Sequence, residues 1–210
     1  MDLLKINREF YLKTQKYFNI SRQSPWDGWE KLLPLLQGRA LKCLDLGCGN
    51  GRFGKWLSQY KKIDYTGLDN NQYLLDQIPF GHKIKQDITQ PWRLKDKFNL
   101  IVLMAVLHHI PTKTARLKIL QQAKKLLLPG GLLVFTAWNF DQKKIVKKLG
   151  PDDFLLYWKK GVEALRYVHQ FSDTEIKHLI KNLKLKLIDD FISDDRQGQS
   201  NRYLILKKAI

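Results

Sequence analysis

Two hydrophobic rhythms alternate along the chain. Short, largely apolar runs stand at 41–46, 63–68, 98–104 and 132–138, and between them lie stretches in which apolar residues recur every three or four positions. The first rhythm marks strands, continuous in apolar character where both sheet faces are covered, and the second marks helices with one buried face. The spacing predicts helices over 4–19 and 26–37, broken at Ser24-Pro25, with Ser24 a cap and Pro25 a first-turn residue. A buried strand follows at 41–46, then a helix at 51–60 and a strand at 63–68. Asn70 and Asn71 open a helix to about Gln77, and a short strand falls at 82–85. Strand 98–104 leads into an amphipathic helix over 113–128, with Ala115, Leu117, Ile119, Leu120, Ala123 and Leu127 on its apolar side. Pro129-Gly130-Gly131 stops it, and 132–138 forms a fifth strand. Residues 141–167 read as helical and partly irregular. The segment 172–175 (SDTE) reads as a capping box before a helix at 173–182. Strands at 184–192 and 201–207 close the chain. Alternating strands and helices predict an α/β layer fold. Its 210 residues suit one domain, with 1–38 covering a site built on the core 39–210.

Composition narrows the classes. Hydrophobic residues at 44% and aromatics at 11% are ordinary for a globular protein. No apolar run reaches membrane-spanning length, so no membrane role is expected. The first ten residues carry scattered charges and no apolar core, unlike a signal peptide. Cys43 and Cys48 flank one tight turn, with no His or Cys pair to complete a zinc set, so neither a disulfide nor a metal site is expected and a reducing cytoplasm is the expected setting. The formal net charge of +17 points to a polyanion such as nucleic acid, or to an anionic surface; lysine-rich solvated helix faces are the plainer alternative.

The first strand runs into Asp45-Leu46-Gly47-Cys48-Gly49-Asn50-Gly51. Glycines there permit positive φ and let a ligand approach the backbone, as in nucleotide-binding turns. Asp45 before the turn suits a ligand carrying an ammonium rather than a phosphate. Asp69 ends the second strand, where an acid accepts hydrogen bonds from ribose hydroxyls. Asp87 follows the third strand, placed for an adenine amino group, with Ile88 against the ring. Any one of these acids could be a cap or a loop residue. Three at successive strand ends beside a glycine turn form a constellation.

In these stretches the sequence resembles class I S-adenosylmethionine (SAM) dependent methyltransferases: LDLGCGNGRF (44–53), YTGLDNN (65–71), QDI (86–88), NLIVLMAVLHHI (99–110) and LLLPGGLLVF (126–135). The resemblance implies a Rossmann-like fold, a seven-stranded mostly parallel sheet with its last strand antiparallel and helices on both faces. It also implies SAM across the strand C-termini, touching Asp45, Gly47, Gly49, Asn50, Asp69, Asn70, Asp87, Ile88, Met104 and Ala105.

A polar-Pro-Pro-aromatic motif, usual where exocyclic base amines are methylated, is absent after the fourth strand, and neither cysteine is placed as a C5-pyrimidine nucleophile. FNISRQSPWDGWEKLLPLL (18–36), AVLHHIPTKTAR (105–116), Thr136-Ala137-Trp138, RYVHQF (166–171) and NRYLILKK (201–208) resemble the tRNA wobble-uridine carboxymethyl methyltransferases. That family forms a methyl ester on a 5-carboxymethyl uridine, and its eukaryotic members work with a small zinc-binding activator subunit. The implied partner is tRNA, met by Lys83, Lys85, Lys143, Lys144, Lys147 and Lys148. A carboxylate acceptor is already ionised, so alignment rather than a base is needed. Arg22 and Arg116 are candidates to hold it by paired hydrogen bonds, His109 stands near the reacting methyl, and Trp26 or Trp138 could stack on an extruded base. The alternatives are a small-molecule methyltransferase acting on a metabolite or quinone precursor, and a non-catalytic SAM-fold protein that binds RNA or a partner.

Overall fold

The computed structural model describes residues 1–38, 40–194 and 200–210. The first helix, α1 (Leu3–Ser21), is opened by Asp2, whose side chain accepts from the Lys5 amide. The second expected helix is a 3-10 helix, Asp27–Leu35. Pro34 inside it supplies no backbone donor, and Gly28 lets it press on Tyr203, whose ring would lie 2.5 Å from an added Cβ.

The core alternates β1 (Ala40–Leu46), α2 (Arg52–Leu57), β2 (Lys62–Asp69), α3 (Gln72–Asp76), β3 (His82–Lys85) and β4 (Phe98–Leu103). After a 3-10 turn at Leu107–His109 come α4 (Lys113–Leu126) and β5 (Leu127–Trp138). The chain ends with α5 (Asp173–Leu183), β9 (Lys186–Ser193) and β10 (Asn201–Lys207). Seven strands form one sheet in the order β3-β2-β1-β4-β5-β10-β9. The β1 to β5 pairings are parallel, and β10 runs antiparallel to both neighbours. This is the expected Rossmann-like architecture.

Alternate strand residues feed two cores. Leu44, Leu46, Ile101, Leu103, Leu133 and Phe135 pack under α4 and α5. Cys43, Tyr65, Leu100, Val102, Val134 and Tyr203 pack under α2 and the first 3-10 helix, around Trp29 and Trp56. Covering both faces explains why β1 and β4 read as continuous apolar runs.

Residues 141–167 depart from the helical expectation. After a 3-10 turn (Gln142–Lys144) they form an antiparallel sheet of β6 (Ile145–Lys148), β7 (Asp153–Trp158) and β8 (Ala164–His169). Gly150-Pro151 and Gly161, the latter at φ +78°, punctuate it, and DFLLYW and ALRYVH are rich in the aromatic and branched residues that suit a pleated face. The capping box before α5 is half realised. Ser172 Oγ accepts from the Glu175 amide at 3.2 Å, but the Glu175 carboxylate turns inward to Arg116 and His169. No helix among the described residues is long and apolar enough to cross a membrane.

Candidate active site

Strand order reverses between β1 and β4, and a crevice opens beyond the strand C-termini at such a switch point. A cavity of about 580 Å³ lies there. The ends of β1, β2, β3 and β4 form its floor, and α1 and the segment around Trp26 contribute to its wall. The glycine turn is tied to its neighbour: the amides of Gly47 and Cys48 both donate to Leu68 O. Gly47 has φ +70°, and an added Cβ would meet Val106 at 2.6 Å.

Asp45, Asp69 and Asp87 all line this cavity. Asp45 is 2% exposed, accepts from Tyr65 Oη at 2.9 Å, and forms no ion pair with a described residue. Burial pushes its carboxyl up to about 7, against the pull of the Tyr65 hydrogen bond. A buried acid lacking a cation fits an ammonium ligand. Asp69 accepts from the Gly49 and Asn71 amides, each at 2.8 Å. Burial raises its pKa while those backbone bonds oppose the rise. Asp87 Oδ1 accepts from the Thr89 amide and hydroxyl at 2.8 and 2.7 Å, leaving Oδ2 3.6 Å from Arg8. Asn50, Gly49, Asn70, Ile88 and Met104 line the same half. Ala105 takes the left-handed conformation at φ +57° and donates its amide to Thr136 Oγ1 at 2.8 Å. That costs an alanine about 1–2 kcal/mol and turns the chain sharply at the cavity floor.

The other half is built on α1. The Asn7 side chain completes the edge of β8, donating to Tyr167 O at 3.1 Å and accepting from Tyr167 N at 2.8 Å. The same Nδ2 donates to His109 O at 3.1 Å. Tyr11 Oη lies 2.9 Å from His109 Nε2, and His109 Nδ1 lies 3.0 Å from Tyr167 O. A carbonyl only accepts, so Nδ1 carries the hydrogen and Nε2 accepts from Tyr11. Burial, reinforced by Arg166, depresses His109 to about 3, and burial lifts Tyr11 to about 12. Both are neutral near pH 7. His108 also lines the cavity; it is buried, its Nδ1 has no partner, and burial drives its pKa well down.

Of the candidates for holding an acceptor, Arg22 lines the cavity beside the glycine turn, its carbonyl accepting from Asn50 Nδ2 at 3.0 Å. Trp138 lines it too, with one ring face under the Arg166 guanidinium at 4.5 Å. Trp26 lies at the wall with Arg52 over its ring at 4.8 Å.

Arg116 does not reach the cavity. It is 2% exposed, and its guanidinium is taken up by Glu175 Oε1 at 2.7 and 2.9 Å and Ile110 O at 2.6 Å. Its place is the joint between α4 and α5, where the Glu175 carboxylate neutralises it.

Sequence reasoning missed Arg166, which occupies the acceptor half. The helical expectation for its segment hides the strand alternation of β8 that sets its facing. Tyr11 was also missed; helical spacing places it one turn from Asn7 and Arg8 on the face that meets the strand ends.

The model of a methyltransferase domain matches residues 18–189. The tRNA (carboxymethyluridine(34)-5-O)-methyltransferase of Schizosaccharomyces pombe is 27% identical over 198 residues, covering 82% of this chain and 85% of that protein. The mouse enzyme of the same activity, ALKBH8, is 29% identical over 138 residues, covering 64% of this chain, which spans only 20% of the mouse protein's length. A SAM-dependent methyltransferase from Clostridium acetobutylicum superposes with a TM-score of 0.72 at 16% identity, over 95% of this chain and 99% of its own.

Proposed function

The chain belongs to the methyltransferase-domain family as a SAM-dependent enzyme, and from that premise we propose that it esterifies the carboxylate of a 5-carboxymethyl uridine in tRNA. When bound, SAM supplies a methyl group activated on a sulfonium. Asp45 would hold its ammonium, Asp69 the ribose hydroxyls and Asp87 the adenine amino group, with Ile88 against the ring. Arg22, which lines the cavity beside the glycine turn, would pair with its aminoacyl carboxylate.

The observation that supports the acceptor assignment is that neither cavity histidine is a ready base: His109 is fully engaged, and burial drives the neighbouring His108, whose Nδ1 has no hydrogen-bond partner, well below its ordinary pKa. Both ring nitrogens of His109 are engaged, its lone pair is occupied by Tyr11, and it is held neutral far below its ordinary pKa. An alcohol or amine acceptor must lose a proton; a carboxylate has none to lose at neutral pH. What remains for the protein is alignment and exclusion of water. The relatives' activities and the net charge of +17 support tRNA as the carrier of that carboxylate. Exposed Lys85, Lys143, Lys144, Lys147 and Lys148 are available to phosphates, and Lys83 is held by Ile78 O. A small zinc-binding activator subunit is the protein partner we infer from the family.

The test uses methyl-labelled SAM and bulk tRNA from cells lacking the gene, digested to nucleosides. Label on uridine that is released by mild alkali identifies an ester. Alkali-stable label refutes the carboxylate acceptor, and label confined to a metabolite extract refutes tRNA.

A further inference from the structure

Arg166 is the cation in the acceptor half that the protein leaves without a counter-ion. Its guanidinium lies over three rings, Trp138 at 4.5 Å, Phe10 at 5.5 Å and Trp158 at 5.8 Å. Its Nε is shielded from solvent and has no hydrogen-bond partner. It forms no ion pair with any described residue. Arg116 provides the contrast: more deeply buried than Arg166, it has its own carboxylate. Burial, reinforced by the like charge of Arg22, lowers the Arg166 pKa to about 10, so it remains a cation at neutral pH. An unpaired charge partly shielded from water is unfavourable unless something compensates it. The rings compensate part, but they offer no acceptor for the N–H groups.

Building on the proposed function, we propose that Arg166 is the receptor for the acceptor's carboxylate and the residue that selects an acid over its neutral amide. A planar fork fits a carboxylate with paired, charge-assisted hydrogen bonds, and an amide presents only one oxygen and no charge. The three rings crowd the guanidinium and so narrow the directions from which an acid can approach it. In the transfer, one carboxylate oxygen forms the new C–O bond as the methyl–sulfonium bond breaks and the sulfur keeps the electron pair. The product ester is neutral, so the attraction that seats the acid is lost once the bond has formed, which favours release.

The experiment uses the full chain saturated with S-adenosylhomocysteine and two synthetic anticodon stem-loops, one carrying 5-carboxymethyluridine and one its carboxamide. Wild type should bind the acid about 10- to 150-fold more tightly than the amide. Arg166→Gln should lose that preference by weakening the acid alone. Should Arg166→Gln fail to fold, Arg166→Lys carries the test: it keeps the charge, loses the fork, and should weaken the acid about tenfold at unchanged amide affinity. An undiminished acid preference in the folded variant, or equal binding of acid and amide by wild type, overturns the role of Arg166. Methyl transfer measured alongside separates the two readings. Wild type that methylates neither stem-loop removes the proposed function, whereas transfer to the acid with discrimination independent of Arg166 removes only this assignment.

Discussion

Replacing Asp45 by Asn should stabilise the cofactor-free protein while destroying its hold on SAM. The carboxyl ionises near 3.8 in an open chain and is pushed up to about 7 by burial in the fold. Between those values the folded state binds more protons than the unfolded one, so wild-type stability falls as pH rises through this window and changes no further above it. The shift spans about three pH units, at about 1.4 kcal/mol each, so the ionised carboxylate costs the empty fold up to about 4 kcal/mol at pH 8. Asparagine keeps an oxygen for Tyr65 and carries no charge. At about 2–4 °C per kcal/mol for a chain of this size, the melting temperature of Asp45→Asn should exceed wild type by about 10 °C at pH 8, and the two should converge near pH 4. SAM affinity moves the other way. It should rise about tenfold per pH unit up to pH 7 in wild type and then level, and it should be weak and flat in the variant. Differential scanning calorimetry without ligand, paired with isothermal titration of S-adenosylhomocysteine across pH 5–8, reads both. A variant no more stable than wild type at pH 8, or one with wild-type ligand affinity, would refute the view of Asp45 as a destabilising charge kept for an ammonium.

Other outcomes follow from the geometry. Arg116→Met strips one partner from a buried pair and should cost about 3–5 kcal/mol, lowering the melting temperature with cofactor affinity of the folded protein unchanged; normal melting with lost transfer would return Arg116 to the site. Gly47→Ala forces a side chain into Val106 at φ +70°, so SAM binding should fall at least tenfold, as titration would report, and wild-type affinity would count against the tight turn. Stem-loop binding should weaken steeply between 50 and 200 mM salt, and each Lys→Gln change among Lys143, Lys147 and Lys148 should reduce the log–log slope by about 1; a flat salt response argues against phosphate contacts.

The cofactor half was legible because its information is local. Asp45, Gly47 and Gly49 lie within one turn, and Asp69 and Asp87 each end a strand whose apolar run announces it. The acceptor half depends on contacts between distant segments. Arg116 looked free because its neutralising acid, Glu175, lies 59 residues on. The lysines of 143–148 imitate the charged face of a helix, and only pairing with β7 puts Lys147 and Lys148 on an edge strand. The segment 26–37 has helical spacing, but Pro34 and the close approach of Gly28 to Tyr203 draw it into a tighter coil.

The docking of α1 bears on the order in which the chain folds. Asn7 bonds residues 102 and 160 positions away, and Tyr11 one 98 away. Closing loops of that length is costly in entropy until the distant partners are in place. Within this chain α1 is made well before β8 and must therefore wait for it before its buried face has a surface to meet. During that interval Phe10 and Tyr11 are uncovered, which makes α1 a segment for a chaperone to shield.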